Sequence, residues 1–183
     1  MNLKQVILKE HSKKQCYRVV AYVGDNASRF SELVNLLLEG PYRVTQRAAW
    51  PLSCCVERNP NLIKPHLRKI LNYTMKPGVH DSIKRNVVRL LQFIEIPKRL
   101  QGLTAEVCFQ FFSDKKEPVA VRVFSMTVLS TLAKKLPELK NELIPLIEDQ
   151  MPYGSPGFIS RGRKVLKELK ANLVNGKNNY SHL

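Results

Sequence analysis

The stretch PVAVRVFSMTVLSTL, residues 118–132, holds Val121, Ser125, Leu129 and Leu132 at offsets 0, 4, 8 and 11. On a helix of about 3.6 residues per turn these offsets fall within about 80°, so the four side chains form one stripe that must be buried. The frame occurs three more times. Val44, Ala48, Leu52 and Cys55 make one copy; Ile83, Val87, Leu91 and Ile94 make a second; Phe158, Gly162, Leu166 and Leu169 make a third. The four anchors are 39, 38 and 37 residues apart. A near-constant period of that size points to stacked helical units, each burying its face against its neighbours.

Between these B helices lie A helices with stripes of their own: Ile63, Leu67 and Ile70; Leu100, Leu103 and Val107; Leu139, Leu143 and Leu146. Each opens beside a proline (Pro60, Pro97, Pro137), which suits a first turn because the missing N–H would have no helical partner there. An earlier A helix carries Phe30, Leu33, Val34, Leu37 and Leu38 and is stopped by Gly40-Pro41. The spacing predicts A helices over 27–39, 60–75, 97–113 and 137–150, alternating with B helices over 42–58, 80–95, 117–135 and 155–173. The expected fold is all-α: an α-α superhelix, or solenoid, of about four helical pairs plus an N-terminal cap helix. One domain covers 1–174, with the cap helix in 1–25 and the repeats in 26–174, and a polar, flexible tail follows at 175–183. Tyr17–Val23 (YRVVAYV) is the nearest thing to a strand, and it would have no strand to pair with.

The third frame, with Pro118, Val121-Arg122, Ser125 and Leu129, resembles the HEAT repeat, whose units carry a proline, a valine–arginine pair, a small residue and a leucine in that order. The first frame departs from that pattern with Thr45 after its anchor, and the fourth with Ile159. The resemblance covers about residues 27–173 and implies an armadillo-like solenoid whose B helices line the concave side.

Charge bears on partners rather than on fold. The net charge is +15, with 30 Lys and Arg against 15 Asp and Glu. It is regional: residues 60–103 hold nine basic and two acidic groups, whereas residues 25–59 balance and residues 104–151 sum to −1. Such a distribution suits an acidic protein segment or a nucleic acid. Cys16, Cys54, Cys55 and Cys108 form no CxxC pair, and the adjoining Cys54 and Cys55 diverge by about 100° on a helix. Four free thiols are expected, and with no secretory leader at MNLKQVILKEHSKK and no long apolar run the expected location is cytoplasmic.

No catalytic motif emerges. His11, His66, His80 and His182 are scattered, no nucleophile elbow or phosphate loop is present, and no metal or cofactor is implied. His80, before Asp81 at a helix start, reads as an end cap, and Glu148-Asp149 as a solvated pair. Lys140 reads as a surface residue.

The B-helix frame also nominates positions opposite the stripe, at offsets 2, 6, 9 and 13. These are Gln46, Trp50, Ser53 and Glu57; Arg85, Arg89, Gln92 and Ile96; Val123, Thr127, Ser130 and Lys134; Ser160, Lys164, Lys167 and Ala171. Basic groups outnumber the one acid, so Trp50, Arg85, Arg89, Lys134, Lys164 and Lys167 are the candidate binding residues for an extended acidic ligand. Two basic patches fit this set better than one continuous rail, because the first and third frames contribute only Trp50 and Lys134. Trp50 has an alternative role, packing on the N-terminal helix. Arg47, Arg122 and Arg161 fall on the flanks and are expected in the seams between units.

Two functions lead, ahead of a third, a membrane-surface adaptor using the basic ends, which rests on charge alone. One is a non-enzymatic interaction scaffold holding an acidic protein segment. The other is duplex-DNA binding, since the chain distantly resembles the DNA alkylation-repair glycosylases built from HEAT-like repeats. That resemblance implies an aspartate and aromatic residues on the concave helices. Here the strip offers Trp50 and, as carboxylate, only Glu57, which argues against glycosylase chemistry.

Overall fold

The structure is a computed structural model that describes residues 1–177, with side chains through Ala171. Among the described residues ten α-helices run in chain order: α1 Leu3–Lys9, α2 Lys13–Val23, α3 Ala27–Glu39, α4 Tyr42–Arg58, α5 Leu67–Thr74, α6 Asp81–Leu90, α7 Lys98–Ser113, α8 Val119–Leu132, α9 Lys140–Gln150 and α10 Pro156–Lys177. Single 3-10 turns occupy Pro60–Ile63, Leu91–Phe93, Pro137–Leu139 and Met151–Tyr153, and no strand occurs among the described residues. The fold is the all-α helical repeat that the frames predict. Of the expected tail, 175–177 belong to α10, while 178–183, His182 included, lie outside the described residues.

Local chemistry fixes most helix ends. Asn2, Ser12 and Asn26 cap α1, α2 and α3 by accepting the N–H of Gln5, Gln15 and Arg29. Ser12 is also why the N-terminal segment, expected as one helix, is two. The chain is extended at Glu10, and Ser12 starts a new helix. Pro41 and Pro118 stand immediately before α4 and α8. The A helices expected from 60 and 137 begin instead as 3-10 turns, and in the first of them the α-helix starts only after Pro65.

The frame residues are the core. Of the sixteen, fourteen are buried, and Ile94 and Leu166 are half-buried. Both exceptions have a geometric cause. α6 ends at Leu90 and tightens into a 3-10 turn, so Ile94 (φ −125°, ψ 150°) has left the helix and its register. In α10 the helix is rotated so that Val165, 2% exposed, takes the inner place beside Leu166. Lys140, expected on the surface, is 8% exposed at the start of α9.

The chain divides into two compact units, Met1–Val107 and one beginning at Cys108. In the first, α4 is the central element: α1, α2, α3 and α6 all pack on it. Gly40 ends α3 where a Cβ would stand 2.5 Å from the Leu36 carbonyl oxygen, which lets the chain turn directly into α4. In the second unit, α8 and α9 pack on α10, and Phe112 stacks on Phe158 with ring centroids 5.9 Å apart. The small residue at offset 4 has its reason here. A Cβ on Gly162 would lie 2.6 Å from the Met151 sulfur and 3.3 Å from Ile147 Cγ2.

Candidate functional site

Successive B helices pack directly on one another within each unit, α6 on α4 and α10 on α8. That seam decides what the nominated outward positions do. At offset 9, Ser53 and Ser130, expected to face outward, are 0% and 3% exposed, and Ser53 accepts a hydrogen bond from Arg89 of the neighbouring B helix. Ile96 is also buried, at 8%, because it lies beyond the end of α6.

Arg89 on α6 spans the α4–α6 seam. Its Nη1 donates to Ser53 Oγ at 2.7 Å and its Nη2 to Glu57 Oε2 at 2.6 Å, while the guanidinium lies 5.0 Å from the Phe93 ring centroid. Glu57, the single acid among the sixteen nominated positions, is therefore committed to the half-buried Arg89. Arg85, one turn earlier on α6, is exposed. Trp50 on α4 is half-buried, with the His11 ring edge-on at 5.8 Å, and shares a small cleft with Gln15, Cys16 and Arg47. Its indole thus meets the N-terminal helices, the alternative role. In the second unit Lys134 is exposed just past the end of α8, and Lys164 and Lys167 are exposed on α10.

Of the three flanking arginines, Arg47 and Arg122 bind structure, and Arg161 is half-buried. Arg47 donates to the Leu8 carbonyl at 2.8 Å. Arg122 donates to Gln150 Oε1 and stacks 4.8 Å from the Phe158 centroid, and burial draws its pKa below the ordinary arginine value. His80 caps α6 by accepting the Ser82 N–H at Nδ1, 3.0 Å away, and its Nε2 lies 3.2 Å from Gln46 Nε2. The acids at 148 and 149 are exposed. Glu148 pairs with Lys170 at 2.6 Å, and Asp149 stands 3.9 Å from Lys115.

Sequence reasoning missed two pairings made by tertiary packing. Cys16 and Cys54 bring their sulfurs to 3.9 Å, and His66 Nε2 sits 3.2 Å from Ser31 Oγ. Burial, aided by Lys69, lowers the His66 pKa from its ordinary range. Neither pairing has a local signal, since the partners are 38 and 35 positions apart.

Among the described residues no three His, Cys, Asp or Glu side chains gather as a metal site. No helix there is long and apolar enough to cross a membrane. No curated protein and no solved structure matches this chain. The HEAT repeat domain family profile does, over residues 3–169, which is nearly the whole of the described chain. With its recurring frame, its paired helices and that match, the chain belongs to the HEAT-repeat family.

Proposed function

We propose that the chain is a non-enzymatic interaction scaffold that binds an acidic protein segment through exposed cations of its B-helix units. Arg85 serves in the first unit, and Lys134, Lys164 and Lys167 in the second. The observation that carries this reading is the Arg89–Glu57 pair. It consumes the one carboxylate of the nominated strip and leaves the other cations uncompensated: Arg85, Lys134, Lys164 and Lys167 are exposed and have no ion-pair partner among the described residues. A protein segment suits such a surface because exposed charges steer and select an acidic partner without a closed pocket.

Duplex-DNA binding is the second reading, and the net charge of +15 favours it. The chemistry of the repair glycosylases that the sequence distantly resembles has less support. Glu57 is paired with Arg89 and Trp50 packs against His11, so both already have partners within the chain. Fluorescence anisotropy of the full chain against a Glu/Asp-rich peptide and a DNA duplex, each over a range of salt, separates the two. The scaffold reading expects peptide binding near physiological salt, with DNA binding confined to low salt. Tight duplex binding that falls steeply with log salt would put the second reading ahead.

A further inference from the structure

Cys16 and Cys54 come from helices that pack on each other, α2 and α4, and the Cys16 thiol donates to the Cys54 sulfur at 3.9 Å. We propose that the pair is a redox-modification site: a hydroperoxide oxidises Cys54, and Cys16 resolves the product into a disulfide.

The two sulfurs differ in ways that assign these roles. Cys54 is half-buried and Cys16 fully buried. Cys16 borders a narrow cleft of about 10 Å³, room for roughly one water, beside His11, Arg47 and Trp50. The oxidant therefore meets Cys54 first. Charge agrees with access. From α6 the Arg89 cation lies beside Cys54, held by its bonds to Ser53, which precedes that cysteine on α4, and to Glu57, three residues after it. A neighbouring cation and a thiol donor both favour the thiolate, which is the nucleophilic form.

The groups acting on Cys54 are Cys16 from α2, Arg89 from α6 and Glu57 from α4 itself. The Cys16 hydrogen bond acts most strongly, and with Arg89 it outweighs burial and the Glu57 carboxylate, drawing the Cys54 thiol down to about 7. Cys16, which keeps the shared proton, is pushed far up by that same hydrogen bond and by burial. Cys55 is pushed up to about 12 by burial, and the fully buried Cys108 is pushed up too, so neither competes.

The chemistry closes without a further reductant or oxidant. The Cys54 thiolate attacks one peroxide oxygen. The S–O bond forms, the O–O bond breaks, and the departing oxyanion takes a proton from solvent to leave as water or an alcohol. Cys54 is then a sulfenic acid, oxidised by two electrons, and the peroxide is reduced by the same two. The Cys16 sulfur next attacks the Cys54 sulfur. The S–O bond breaks, and the hydroxide leaves as water with the Cys16 proton. The sulfurs must close from 3.9 Å to about 2 Å for the bond to form.

The test treats the full chain with one equivalent of hydrogen peroxide, blocks free thiols, and maps peptides by mass spectrometry without reduction. The expected product is a Cys16–Cys54 cross-linked peptide and a chain lighter by two hydrogens. In Cys16→Ser, dimedone should label Cys54 at a level about tenfold or more above Cys55 and Cys108. In Cys54→Ser, no dimedone adduct should form at Cys16. A disulfide joining any other pair, dimedone labelling of Cys55 or Cys108 in place of Cys54, or a folded wild-type chain whose thiols resist peroxide would each overturn the assignment. The wild-type map decides even where a serine variant does not fold.

Discussion

Arg89 Nη2 and Glu57 Oε2 lie 2.6 Å apart across two successive B helices, tying offset 6 of the second frame to offset 13 of the first. Their side chains are 27% and 43% exposed, so water screens the pair. Glu57→Gln should therefore cost little stability, about 0.2–1 kcal/mol by urea denaturation. It should also raise affinity for an acidic peptide, because Arg89 is then uncompensated. A fall in peptide affinity would mean that Glu57 itself contributes to the binding surface.

Leu129, at offset 8 of the third frame, is 0% exposed. Leu129→Ala should cost about 2–5 kcal/mol, the usual range for a leucine removed from a packed interior. The comparison is Lys116→Ala at an exposed position, because Lys140 lies inside the start of α9. Equal denaturation midpoints for the two variants would sink the frame as the core.

Gly40 and Gly162 are both required by close approach, and they should respond differently. A Cβ at residue 40 meets the backbone oxygen of Leu36 at 2.5 Å, which cannot move without opening the end of α3. At residue 162 the obstacle at 2.6 Å is the Met151 sulfur, the flexible part of a side chain. Gly40→Ala should cost about 1–3 kcal/mol in thermal or chemical denaturation, and Gly162→Ala less. The reverse order would show that the turn after α3 yields more readily than the α9–α10 packing.

These three cases also mark what the sequence could carry. Helix periodicity survives in a single chain as offsets, so Val121, Ser125, Leu129 and Leu132 declared the core, and proline and glycine declared most boundaries. The failures arose where a second element decides. Ser53 looks outward on an isolated helix, yet Arg89 of the next B helix meets it. Trp50 fits a ligand strip by angle, yet α1 and α2 supply the surface it meets. Cys16 and Cys54 carry no mutual signal at all, because only the packing of α2 on α4 brings them together.

The Cys54 thiol, drawn down to about 7 from the ordinary 9.0, should be alkylated by iodoacetamide with a rate that rises with pH and is half-maximal near 7. The sign of the Arg89 effect follows from charge. Removing the cation destabilises the thiolate, so Arg89→Gln should shift the midpoint upward, toward the ordinary value. Glu57→Gln removes an opposing anion and should shift it downward. A midpoint near 9 in the wild-type chain, measured by mass spectrometry at Cys54, would remove the activated thiol.

Lys164 and Lys167 stand three residues apart on α10 and are both exposed, a spacing that places neighbouring charges on one helical face. If they bind an acidic segment, Lys164→Ala with Lys167→Ala should weaken an acidic peptide by roughly two- to thirtyfold, since each exposed charge pair is worth about 0.2–1 kcal/mol. Arg85→Ala, alone, tests the first unit in the same assay. For duplex DNA the readout is different. Every phosphate that a variant leaves without its neutralising cation lowers the log–log salt slope by about 0.9, so the lysine double variant should flatten it by up to about two units. A peptide affinity that falls while the DNA slope stays fixed assigns the α10 cations to a protein partner. A flattened DNA slope with unchanged peptide affinity assigns them to nucleic acid. Neither change would remove Lys164 and Lys167 from the binding surface altogether.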